Sequence, residues 1–323
     1  VNLDVGGVTL QYATAELLCQ LDDPATLVFG ASPGLKTEFA FATSEGDTVT
    51  APRAKITHGS GMAYVTGIDP GAGVAMLVKH SGGRTTQIVV LSHEQALQLA
   101  KANVGGRDRL VLSPGDTYFT ADQIHVSSRD AAKLKVAVFP VLARASAGFR
   151  DAGRDGIFQQ YVSTAKFPQG AVALDVKSTK AAAPSVPAKM NPNPRRNVAM
   201  EPDDADFDRA AGWSIRVPAS ALEGVTRSFL QISYEGDVAR LYSGSHFDND
   251  NFYKGTPWEI ALWRFTPQEL ARGLDLKILP LRKDTPMFLE RIARPEFPAG
   301  VDVLRLKDVK LVREYEAVLD ADR

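Results

Sequence analysis

Five carboxylates in the second half of the chain, Glu235, Asp237, Asp248, Asp250 and Glu259, are the side chains best placed to do acid–base work. Hydrolysis of a glycoside needs two such groups facing each other across the bond, about 5 Å apart for retention of configuration and farther apart for inversion. Glu259 follows Trp258, and a carboxylate desolvated beside an indole rises in pKa. The plainer reading of Glu259 is a pair with an arginine or lysine, or a loop cap. Linear order brings no two of the five together, so no catalytic residue is assigned.

Metal and nucleophile chemistry have less to stand on. Asp248-Asn249-Asp250-Asn251 has the look of a calcium loop, but counted from Asp248 the sixth position, which such a loop gives to glycine, is not glycine. A tight turn between two strands explains it better, because Asn and Asp tolerate left-handed backbone. The histidines, His58, His80, His93, His125 and His246, show no i, i+4 pair, no His-x-His and no HExxH. Gly59-Ser60-Gly61 is not a nucleophile elbow, and Gly6-Gly7 and Gly105-Gly106 lack the setting of a nucleotide loop. The expectation is no metal and no cofactor.

Aromatic rings supply the remaining candidates. Flat faces stack on the apolar side of a pyranose while nearby Asn, Asp and Arg groups meet its hydroxyls. Phe247, Phe252, Tyr253, Trp258 and Trp263 cluster in sequence with such groups. Trp258 and Trp263 fall in an apolar run and read better as core or domain interface, whereas Phe252 and Tyr253 flank the expected turn and read as surface. The sugar-binding or domain-docking set is therefore Asp248, Asp250, Asn251, Phe252, Tyr253, Trp258 and Glu259.

The elements that must hold these residues are strands. Val8-Thr9-Leu10-Gln11-Tyr12 alternates, and further strands are expected over 27–29, 38–41, 63–67, 74–79 and 86–91. Ser32-Pro33-Gly34 and Gly82-Gly83 mark turns. One helix is expected over 92–102, with Ser92 and Gln95 at capping-box spacing. Strands resume over 109–112, 117–119, 123–126 and 133–139. Residues 178–208 are rich in Pro, Ala and charge without apolar period, and read as an extended linker with an acidic end at 201–208. Strands follow over 213–217, 229–234 and 238–242. Thr266-Pro267-Gln268-Glu269 opens a short helix that Gly273 closes. In 274–279 Leu and Ile point inward, with Asp275 and Lys277 outward. Short strands at this spacing predict an all-β protein: a β-sandwich over 1–177, the linker over 178–208 and a second sandwich over 209–323, with a few short helices.

Bulk composition narrows the partners. A chain of 323 residues with 44% apolar residues buries a substantial core. Its net charge of −1 gives no electrostatic reason for nucleic acid or an anionic membrane as partner. It has no apolar run of membrane-spanning length, and the expectation from these residues is no signal peptide within them. The single cysteine, Cys19, excludes an intramolecular disulfide and reads as a small buried hydrophobe. The first residue, Val1, opens directly on a strand pattern and reads as a processed or truncated end.

Seven segments, in order, resemble the C-terminal region of bacterial family 35 glycoside hydrolases, the β-galactosidases. They are NLDVGGVTLQYATA at 2–15, IVVLSHEQALQLA at 88–100, GRDRLVL at 106–112, LKVAVFP at 134–140, GDVARLY at 236–242, DNFYKGTPWEI at 250–260 and LKILPLRK at 276–283. The resemblance implies a sandwich followed by a galactose-binding-like jelly roll. It also implies a periplasmic or extracellular setting, and a β-galactoside or other carbohydrate as ligand. In that family the catalytic glutamates lie in a TIM barrel, one within an Asn-Glu dipeptide, and this sequence has neither that dipeptide nor βα alternation. The implied role is a noncatalytic part whose partner is a barrel domain or subunit. A freestanding carbohydrate-binding or structural interaction module is the alternative.

Overall fold

The computed structural model describes residues 2–142, 147–193, 195, 198–297 and 300–321. Val1, expected as a processed end, lies outside them, as do Pro194, Arg196 and Asn197 of the expected linker. The protein is all-β with a few short helices, and its strands form five-stranded sheets in sandwich-like arrangement. The chain divides into two compact units. One holds residues 1–166 with 315–323, and the other holds 167–314.

The first unit stacks sheets around long apolar runs. Thr85–Leu91 lies parallel to Ala25–Gly30 at the centre of one sheet. In Ile88-Val89-Val90-Leu91 every side chain is buried, because both faces of that sheet are covered. Ile88 and Val90 join Phe29, Phe39 and Phe41 in one core, where the Phe29 and Phe39 rings meet edge to face at 5.0 Å. Val89 and Leu91 join Leu110, Leu112 and Phe158 in another, against a further sheet built on Arg107–Leu112 and Lys135–Phe139. In this unit residues 315–320 pair with Gln123–Ser128. Cys19 is half-buried, and burial raises its thiol pKa.

The expected helix over 92–102 is much shorter. Ser92 and Gln95 make both arms of the capping box, yet only His93–Ala96 is helical. Leu99–Val104 is a strand, paired antiparallel with Arg107–Leu112 around Gly105-Gly106. Both glycines have positive φ, which favours the reversal and lets the hairpin outcompete a longer helix.

The second unit is a sandwich of its own. One sheet runs Asp175–Lys180, Ala211–Arg216, Leu274–Ile278, Val238–Ser243 and His246–Phe252 in spatial order. The facing layer contains Trp258–Ala261, Arg227–Glu235 and residues 305–314. Between them lie Ile215, Leu274, Leu276, Leu241, Leu230, Ile232, Ile260 and Trp258. The capping box of Thr266 and Glu269 starts the helix Pro267–Arg272, and Gly273 at φ 111° ends it.

Residues 178–208 differ from the expected interdomain linker. The described ones lie inside this unit: 178–180 belong to an edge strand, and Asp204–Arg209 is a 3-10 helix. The edge strand is almost wholly polar, with a bulge between Ser178 and Lys180, so no apolar period announces it.

Candidate functional site

The site is built by strand register on the outward face of the first-named sheet of the second unit. Alternation turns Leu274, Leu276 and Ile278 to the core and Asp275 and Lys277 to the outside. The same rule turns Ala239 and Leu241 inward and Arg240 and Tyr242 outward. Pairing then lines up two rows across four strands: Ser214, Asp275, Tyr242 and Phe247 in one, and Gly212, Lys277, Arg240 and Asp250 in the other.

Part of this face is covered. Phe207 of the 3-10 helix packs with Ala210, Val238 and Leu279. The open remainder forms a recess of about 340 Å³, lined by Thr179, Lys180, Asp208, Tyr242, Asp275 and Lys277. Lys277 Nζ lies 4.8 Å from the Tyr242 ring centroid, and the exposed Phe247 ring lies 5.7 Å from Tyr242, tilted by 58°. Gly212 also lines the recess, and a β-carbon there would stand 2.8 Å from Thr179 Oγ1. Aromatic faces, carboxylates and ammonium groups around a recess of this volume suit a polyhydroxylated ligand, with rings for its apolar side and charged groups for its hydroxyls.

Asp248 to Asn251 do not form the expected turn. They lie within the strand His246–Phe252, and the turn is Gly244-Ser245 just before it. Asn and Asp are poor strand formers, but backbone pairing with Val238–Ser243 overrides that preference here. Asp248 sits where the register slips between Leu241 and Tyr242; its Oδ1 is 3.8 Å from His246 Nε2, and its buried Oδ2 has no hydrogen-bond partner among the described residues. Asp250 shares its row with Arg240. Asn251 is structural: its Nδ2 donates to the Tyr234 hydroxyl at 2.8 Å, and that hydroxyl donates to Asn251 O at 2.8 Å.

The other expected residues go elsewhere. Phe252 is exposed, but Tyr253, also expected at the surface, is buried, with its hydroxyl donating to Ala293 O at 2.9 Å. Trp258 is core, as its apolar run implies. Glu259, next to it, faces the opposite way and is exposed, accepting a hydrogen bond from Gln231 Nε2 at 2.9 Å. Neighbours in a strand point to opposite faces, so sequence adjacency to an indole brings no desolvation. Trp263, expected in the core or at a domain interface, is not in the core: it is 58% exposed and lies edge to face with Phe229 at 5.1 Å.

The carboxylates therefore stand in different surroundings. Glu235 is buried and neutralised by Lys307 Nζ at 2.6 Å and Arg305 Nε at 3.0 Å. Asp237 is mostly buried, and that burial pushes its pKa up to about 6. Among the described residues no three His, Cys, Asp or Glu side chains converge to hold a metal ion. Also among them, no helix is long and apolar enough to cross a membrane.

No family model matches this chain, and no curated protein matches it.

The residues that line the recess, Tyr242, Asp275 and Lys277, lie outside the set read from sequence. The alternation of 274–279 points Asp275 and Lys277 outward. What it lacks is the cross-strand register that puts Tyr242 beside them.

Proposed function

We propose that this chain is the noncatalytic, C-terminal β-rich part of a family 35 β-galactosidase-like glycoside hydrolase, supporting or shaping a barrel active site carried on another segment. The observation that carries this reading is the ordered set of seven family-like segments in an all-β chain. A galactose-binding-like jelly roll for the second unit, and a periplasmic or extracellular setting, belong to the same reading. Phe288 and Ile292, 86% and 93% exposed, are the apolar side chains best suited to meet a barrel. The test is to add the chain to a separately produced family 35 catalytic barrel. A rise in the barrel's melting temperature or in its turnover of an aryl β-galactoside supports the reading, and no effect on either removes it.

A second reading has its own observation. The recess around Tyr242, Asp275 and Lys277 favours direct carbohydrate binding by the second unit. Calorimetric titration with galactose and galacto-oligosaccharides tests it, and no heat up to tens of millimolar sinks it.

A further inference from the structure

A smaller pocket, of about 80 Å³, opens elsewhere in the second unit. Its lining combines the apolar Val186, Met200, Leu279 and Pro280 with four charged side chains, Asp237, Asp206, Lys189 and Arg209. Space of this size holds more than a single water. Asp237 is fixed by its backbone: its N–H donates to Leu279 O at 2.8 Å, and its carbonyl accepts from Tyr253 N at 2.9 Å.

The charges around the pocket are unequally satisfied. Lys189, on the rim, is engaged with Asp206 at 2.8 Å and also with Asp203. Arg209, also on the rim, donates from Nη1 to Pro184 O at 3.4 Å. The nearby Tyr234 hydroxyl is committed to Asn251. The Asp237 side chain makes no hydrogen bond or ion pair with any described residue, and desolvation alone sets its raised pKa. A partly buried carboxylate with no protein donor is poorly stabilised, and a ligand that brings an N–H donor and a positive charge supplies what it lacks. A neutral apolar ligand would deepen the desolvation.

We propose that this pocket binds a small organic cation, an alkylammonium whose head meets the Asp237 carboxylate and whose alkyl body lies against Val186, Met200 and Leu279. The proposal is independent of the family 35 reading.

The experiment is an NMR titration of the full chain with n-butylammonium at about pH 7.5, with n-butanol as the neutral twin. The expected result is saturable binding of the ammonium, about tenfold or more tighter than the alcohol, and weakening by about tenfold per pH unit well below pH 6 as the carboxylate takes up its proton. Asp237→Asn keeps the size and removes the charge, so the preference for the cation disappears. Lys189, Asp206 and Arg209 remain in that variant, so a preference set by the rim survives it and overturns the proposal. Met200→Trp fills the pocket, keeps the carboxylate and abolishes binding of both probes. Equal affinity for the two probes overturns the proposal, as does no binding up to about 100 mM, a concentration that already corresponds to negligible affinity.

Discussion

The Arg240 guanidinium carbon lies 4.1 Å from the centroid of the Phe207 ring. One cation on the outward face of the sheet thereby holds the 3-10 helix Asp204–Arg209 in place. The Arg240 side chain is only 8% exposed, and its Nη1 donates to Asp204 Oδ1 at 2.6 Å. Desolvated cation–π contacts contribute about 2 kcal/mol, and a planar fork is not replaced by a point charge. Arg240→Ala is expected to lower stability by about 2–4 kcal/mol in urea denaturation, with Arg240→Lys recovering less than half. A full recovery by lysine would show that charge alone holds the segment.

The two tryptophans of the 258–263 run should behave oppositely. Trp258 is buried in the core, so Trp258→Ala is expected to cost about 3–5 kcal/mol. Trp263 is mostly exposed, and Trp263→Ala should cost about 1 kcal/mol or less. Chemical denaturation of both variants checks the contrast, and similar losses would contradict the assigned burial.

What can be read from sequence here is what local chemistry decides. Thr266, Pro267, Glu269 and Gly273 spell out a short helix, because capping is written in neighbouring positions. Strands such as Val74–Lys79 and Val238–Ser243 are legible from alternation or apolar runs. Legibility fails where a partner strand decides. Residues 99–102 continue a helical pattern but are claimed by hairpin pairing with Arg107–Leu112, and Asp248 to Asn251 look like a turn but are claimed by Val238–Ser243. The recess fails for the same reason: Asp275 and Tyr242 are far apart in sequence and become neighbours only through register.

Carbohydrate binding, if it resides in the recess, depends on those neighbours. Tyr242→Ala and Asp275→Asn are each expected to weaken galacto-oligosaccharide affinity by about tenfold or more, the scale of one lost stacking or charge-assisted contact. Unchanged affinity by calorimetry in both variants would move the site off this face.

Asp237 gives the second unit a pH signature. Its folded-state pKa is raised to about 6, while the unfolded chain titrates near the usual carboxylate value of about 4. The folded state therefore retains a proton that the unfolded state has lost. The resulting stability is present at low pH, declines as pH rises through about 4 to 6, and is lost above that window. Asp237→Asn should match the parent near pH 3.5 and exceed it at pH 7 by up to about 3 kcal/mol. A variant less stable than the parent at pH 7 would mean that the ionised carboxylate has a partner.

Phe288 and Ile292 test the docking role. Because both are largely exposed, the double change to alanine should leave the melting temperature of the isolated chain within about 1 °C, since surface substitutions shift stability little. The same change should weaken association with a family 35 barrel. Undiminished association would place the contact elsewhere.

The most direct test of the proposed noncatalytic role is hydrolysis of an aryl β-galactoside by this chain alone. The predicted result is no turnover above the uncatalysed rate. Turnover that disappears in Glu235→Gln or Glu259→Gln would contradict the account and make this β-rich chain an enzyme in its own right.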